Sequence, residues 1–172
     1  AEPRSIDEFS YLIKWANLHK QRCQIIGAGS NLLINNIFIK GLVICTKKMK
    51  SLKIEPSSGI VEAEAGVMLP TLSNALAKNG LQGGEWAVGI PGTLGGAIYM
   101  NAGTGNISLA KNLISVKVIN NKTNEELQIE KKDINFEYRF SSFQSNDLTI
   151  ISAKLHFEPN GNLEQLIQTT KN

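Results

Sequence analysis

Three features of the sequence predict an α+β fold. A helical periodicity opens the chain and gives way to short, unbroken apolar runs, the pattern of a small α/β unit reaching to about residue 50. From residue 52 the runs alternate apolar with polar residues and come in pairs divided by turn sequences, which is the pattern of antiparallel strands. The chain has 172 residues, 42% hydrophobic and 19% charged, which suits one domain or two small subdomains sharing a core. That length can bury most of its apolar surface without disulfide or metal staples.

The first helix starts at "SIDEF". Ser5 can cap it, and Glu8 three residues on can complete a capping box. Ile6, Phe9, Leu12, Ile13 and Ala16 then mark one apolar face. "CQII" at 23–26 reads as a short buried strand, "GAGSN" at 27–31 breaks it, and "GLVICT" at 41–46 is a second apolar strand. "LKIEP" and "IVEAEAG" form a hairpin across "SSG". "LPTLSNALAKNG" at 69–80 is a helix, with Pro70 in its first turn and Gly80 just past its end. A glycine-rich stretch, "GIPGTLGGAIYMNAG" at 89–103, follows. "LISVKVIN" and "EELQIE" make another hairpin across "NKTN", and "LTIISAKLHFEP" is the last strand. The terminal "NLEQLIQTTKN" reads as the first turns of a cut helix, and the start is "AEPRS" rather than methionine, so a piece of a longer protein is expected.

The net charge of +3 is mild: it suits a small anionic ligand and does not call for nucleic acid. Lysines and arginines are scattered, apart from "KKMK" at 47–50 and "KK" at 131–132, which solvated faces explain. No signal peptide is visible, and no apolar run approaches the ~20 residues of a membrane span. Cys23 and Cys45 sit beside apolar strand residues and read as free thiols, which suits a reducing compartment. His19 and His156 lack metal-ligand spacing, and no metal site is expected.

Three motifs can carry chemistry. In "GAGSNLL" the backbone N–H groups can converge on an anion, or the loop can be a tight turn with no ligand. Leu32 stands where a dinucleotide fingerprint needs its third glycine, so this is not a Rossmann loop. The stretch at 89–103 has five glycines, one proline and no charge; lacking lysine, it is no P-loop. Its glycines serve either tight packing or backbone contact with a flat ligand. Two such loops in one small chain favour a single long ligand with a diphosphate and a ring system. In "EYRFSSF" at 137–143, Arg139 can hold a carboxylate through paired hydrogen bonds, or it can be a surface ion-pair residue.

"IIGAGSNLLINNIFIKGLVICT", "GIPGTLGGAIYMNAG" and "FEYRFSSF", in that order and spacing, resemble the UDP-N-acetylenolpyruvoylglucosamine reductase family from about residue 5 to about 158. The resemblance implies an FAD-binding domain of the vanillyl-alcohol oxidase type. Its subdomains would span residues 1–50 and 51–158, with 159–172 the start of a substrate-binding domain. It implies noncovalent FAD, NADPH as reductant, a UDP-sugar substrate and a bacterial, cytoplasmic setting, with no nucleic acid or membrane partner. Gly27, Ala28, Gly29, Ser30, Asn31 and Leu32 would face the diphosphate. Gly89, Ile90, Pro91, Gly92, Thr93, Gly95 and Gly96, then Asn101, Ala102 and Gly103, would lie along the flavin, and Ile151 would border the cofactor again. Arg139 would meet the substrate carboxylate and stabilise the charge left beside it by hydride addition, with Tyr138 shaping that pocket. The family's proton-donating serine and its late glutamate belong to the substrate domain, so Ser141, Ser142 and Ser145 do not take that role, and the chain alone is expected to lack full reductase activity. The alternatives are a stand-alone flavin module without catalysis and another FAD oxidoreductase of the same domain type.

Overall fold

A computed structural model describes residues 1–35 and 38–170. Helix α1, Ile6–Leu18, starts at Ser5, whose side chain accepts from the Glu8 backbone N–H. The capping box is displaced by one residue: the Glu8 carboxylate accepts from the N–H of Arg4 rather than that of Ser5. Strands β1, Cys23–Ile26, and β2, Leu42–Cys45, pair in parallel, and β1 is half-buried throughout rather than fully buried. Phe9 and Ile13 of α1 pack with Ile44 of β2 and with Met49 into a small core.

Both expected hairpins form. β3, Leu52–Glu55, pairs with β4, Ile60–Glu64. Helix α2, Leu69–Lys78, has Pro70 in its first turn and Asn79 at its C-cap, just before Gly80. Within the glycine-rich stretch the chain forms a 3₁₀ turn, Glu85–Gly89, and then a short helix α3, Leu94–Tyr99. The glycines suggested only loop there. Thr93 caps α3, and Leu94, Ala97 and Ile98 bury its inner face. A small hairpin, β5 (Gly103–Thr104) with β6 (Ile107–Ser108), leads into the long strand β7, Leu113–Asn120, which pairs with β8, Glu126–Glu130. A second small hairpin, β9 (Phe136–Glu137) with β10 (Phe140–Ser141), precedes β11, Leu148–His156. Helix α4, Leu163–Thr169, packs on α2 through a segment that includes buried Leu166.

The main sheet has the order β3-β4-β11-β7-β8, antiparallel throughout. Strand alternation gives it two inner faces. Val116, Val118 and Ile150 join α2 and α3 in the large core, while Ile119 and Ile151 join the small core under α1. The two cores therefore share β7 and β11. A register shift between Ile150 and Ser152 bulges β11 at this point, and the freed carbonyl of Ile151 accepts from the Ala65 N–H at 2.9 Å.

Gly66 joins the two halves at closest range. A Cβ there would lie 2.0 Å from the Thr46 carbonyl oxygen and 2.4 Å from that of Met49, and its N–H donates to Met49 O at 2.8 Å. Those neighbours are backbone and cannot swing aside. Gly66→Ala should lower the unfolding free energy by about 1–3 kcal/mol, the usual cost of overpacking, measured as a reduced urea midpoint. An unchanged midpoint would show that the 46–49 turn yields without cost.

Candidate functional site

Between the two cores lies a cleft of about 800 Å³, within the range of ligand pockets. Its wall includes β1, the turn after it, the start and end of α3, and the first residues of β11. Among the described residues that line it there is no carboxylate, and Arg139 is the one cation.

Gly27, Ala28, Gly29, Ser30, Asn31 and Leu32 all line this cleft. So do Ile90, Pro91, Gly92, Thr93, Gly95 and Gly96, and beyond α3 Ala102 and Gly103. The two glycine loops touch. A Cβ on Gly27 would lie 2.3 Å from Thr93 Oγ1, so only glycine permits this approach. Ser30 Oγ donates to Pro91 O at 3.1 Å, and a Cβ on Gly92 would stand 3.1 Å from the same Ser30 oxygen. On the other side, the Cys45 thiol donates to Gly27 O and the Thr46 hydroxyl to Ile26 O. Gly29 has φ 75°, a left-handed backbone that turns the loop. Among the described residues, the N–H groups of Ala28, Gly29, Ser30 and Asn31 donate to no protein acceptor. Four successive N–H groups are thus free to meet a ligand beside a wall of small, uncharged residues.

Arg139 stands at the rim, in the two-residue turn between β9 and β10. It is a non-glycine residue at φ 56°. Its guanidinium donates from Nη2 to Gly103 O at 3.2 Å and lies 5.1 Å from the centre of the Tyr138 ring. These neighbours are neutral, and Arg139 enters no ion pair among the described residues.

Four expected site residues stand elsewhere. Gly89 is exposed at the end of its 3₁₀ turn, outside the cleft lining. Asn101 is turned toward the Arg139 hairpin, where its Nδ2 donates to Glu137 O at 2.8 Å. Ile151 is fully buried in the small core; the bulged strand presents Ile150 to the cleft instead. Tyr138 is 88% exposed and supports Arg139 from outside. The structure adds polar residues that sequence reasoning missed. Thr149 Oγ1 donates to Asn121 Oδ1 at 2.8 Å, and both line the cleft with Asn146 and Gln24. Their one sequence signal was polar residues at strand ends, which is too common to single them out.

An α+β chain with a glycine-walled cleft and open backbone donors along one loop has the make-up of a nucleotide-cofactor domain. Comparison with known proteins narrows the class: residues 1–127 match the FAD binding domain family, and the chain belongs to it. Over 99% of its length it is 70% identical to the UDP-N-acetylenolpyruvoylglucosamine reductase of Prochlorococcus marinus subsp. pastoris, and 45% identical to that of Prochlorococcus marinus strain NATL2A. The chain spans 58% of the length of each of these relatives. Its fold is that of the reductase of the same name from Thermus caldophilus, with a TM-score of 0.81 at 23% identity, covering 99% of this chain and 59% of that one. Alkyldihydroxyacetonephosphate synthase shares the fold more distantly, with a TM-score of 0.67 at 17% identity over 92% of this chain and 31% of that one.

The cofactor fits the residues present: the first glycine loop offers donors for a diphosphate, and the bare stretch offers backbone to a flat ring. Cys23 also lines the cleft, and burial pushes its thiol above the ordinary range. Since only the thiolate is alkylated, Cys23 should react slowly with iodoacetamide at neutral pH and faster as pH rises beyond ~8.5. Bound FAD should suppress that reaction, with mass spectrometry separating Cys23 from Cys45. Equal labelling of Cys23 with and without FAD would place the cofactor away from β1.

Proposed function

We propose that the chain is the FAD-binding portion of an NADPH-dependent reductase that converts UDP-N-acetylglucosamine enolpyruvate to UDP-N-acetylmuramate in bacterial peptidoglycan synthesis. The observation that carries this reading is the meeting of the two glycine loops in one uncharged cleft with a lone, unneutralised arginine at its rim. Similarity to named reductases over 99% of this chain, and 58% of the relative's length, supports it. Residues 1–50 and 51–158 are the two subdomains around the cleft, and 159–172, carrying α4, leads toward a substrate-binding domain that supplies the proton donor. The setting is the bacterial cytoplasm.

FAD is held noncovalently. Bound there, it would supply a hydride acceptor for NADPH and a hydride donor for the enolpyruvyl double bond. The open N–H groups of Ala28, Gly29, Ser30 and Asn31 hold its diphosphate; Gly27 and Leu32 complete that loop. Ile90, Pro91, Gly92, Thr93, Gly95, Gly96, Ala102 and Gly103 form the bare wall that excludes water from the ring. Arg139 binds the substrate carboxylate and offsets the negative charge that builds beside it. It can do so because only one of its five N–H groups is committed, to Gly103 O. The Tyr138 ring braces the guanidinium and borders the UDP-sugar.

Two substitutions separate cofactor binding from chemistry. Gly27→Val drives a side chain into Thr93 and should weaken FAD affinity at least ~10-fold, the effect of 1.4 kcal/mol, as followed by the visible flavin spectrum. Gly29→Val at φ 75° should act in the same direction. Arg139→Ala in the full-length chain should retain FAD and lose about 10²–10³ in turnover. Wild-type FAD affinity in both glycine variants would overturn the assignment of this loop to the diphosphate.

A further inference from the structure

The turn that carries Arg139 cannot hold itself. β9 and β10 are two residues each, and Arg139 sits in the left-handed region, a strained conformation for a residue with a side chain. Its support comes from α3. The Tyr99 carbonyl, in the last turn of that helix, is one of the oxygens a helix end leaves without a partner. Ser141 Oγ donates to it at 2.7 Å and Gln144 Nε2 at 2.9 Å. The same Gln144 nitrogen donates to Arg139 O at 3.2 Å. A carboxamide nitrogen has two hydrogens; the two carbonyls are the near acceptors, with Met100 Sδ farther off at 3.7 Å. Gln144 is itself fixed, in a 3₁₀ turn (Ser142–Ser145) anchored by buried Phe143. Asn101 holds the other arm through Glu137 O.

We propose that Gln144 is a positioning residue for Arg139: its two amide donors bridge the end of α3 to the arginine's own carbonyl and keep the guanidinium at the cleft rim. This rests on the role given to Arg139 above. Gln144 thereby ties the end of α3 directly to the Arg139 backbone, beside the links that Ser141, Asn101 and Arg139 itself make across the same gap. What the position requires is two hydrogen-bond donors at the reach of a glutamine. Methionine has the length without donors. Lysine has donors on a stem of similar length.

The test uses the full-length chain with FAD bound. Gln144→Met should lower kcat by ~10- to ~100-fold, the loss expected when a reacting group is displaced by up to an ångström, while FAD affinity and the thermal midpoint stay at wild-type values. Gln144→Lys should recover most of the rate. A readout independent of turnover is the Arg139 Nε–H resonance, assigned by its loss in Arg139→Lys: narrow in the wild type and in Gln144→Lys, broadened in Gln144→Met. The proposal is overturned if Gln144→Met stays within about twofold of wild-type kcat with an unchanged resonance, or if its rate falls only in step with lost FAD and lost stability. Arg139→Ala keeps the two ideas apart. If it is impaired and Gln144→Met is not, only the positioning role falls. If Arg139→Ala is fully active, the reading of the cation falls, and the resonance alone decides whether Gln144 orders it.

Discussion

The approach of Gly27 to Thr93 is the contact on which the remaining architecture turns. It brings together two segments far apart in sequence with no room for a side chain between them. Thr93 is also the cap of α3, so the same hydroxyl that rests on Gly27 fixes where that helix begins. From there a line of backbone bonds runs into the sheet. Leu94 N–H donates to Val67 O, Gly95 N–H to Ala65 O, and Ala65 N–H to Ile151 O on the bulged strand. The loop after β1, the wall helix and the central strand of the main sheet are therefore one connected frame. Gly66 against the 46–49 turn and the small core under α1 hold the same two halves, and the approach at Gly27 sets their distance at the cleft itself.

Such a frame explains why uncharged sequence is used where a ligand is to be gripped. A charged side chain at the base of the cleft would need a partner or would be costly to desolvate. Backbone N–H groups carry only partial charge and cost less to desolvate, and four of them in one turn have no acceptor among the described residues. The ion pairs Lys48 with Glu2, Lys122 with Asp147 and Lys154 with Glu62 involve none of the residues that line the cleft.

What the sequence disclosed was local. Ser5, Pro70 and Gly80 act on the helix ends beside them, so α1 and α2 could be read directly. The paired alternating runs gave the hairpins because a strand's inward face follows from its own residues. α3 was missed because Gly95 and Gly96 each lower helix propensity by ~1 kcal/mol relative to alanine, and burial of Leu94, Ala97 and Ile98 outweighs that only in the folded chain. The apolar spacing after Thr93 was the signal that could have found it. Ile151 was placed on the cleft because its strand runs there. The bulge beside it, set by pairing with β7, decides that Ile150 faces the cleft instead. That all six residues of the first glycine loop and Arg139 share one cleft was legible, since both belong to motifs whose order the fold preserves. The polar group at Asn121 and Thr149 was not, because its members meet only when β7 and β11 pair.

Arg139 differs from the other basic residues in how it is kept. An exposed arginine ordinarily finds a carboxylate or remains in water, and either costs the fold little. This one adopts a left-handed backbone, stacks on an aromatic ring and spends one donor on a carbonyl. None of these neighbours neutralises it. A fold selected for stability alone would place asparagine or glycine at such a φ, where the strain is smaller. Lys20 also stands at a positive φ, 51°, so a cation in that conformation is not peculiar to Arg139; what sets Arg139 apart is its place in the cleft lining. Its neutral supports then make sense together: they fix the direction of the guanidinium while leaving its charge and most of its donors for a ligand.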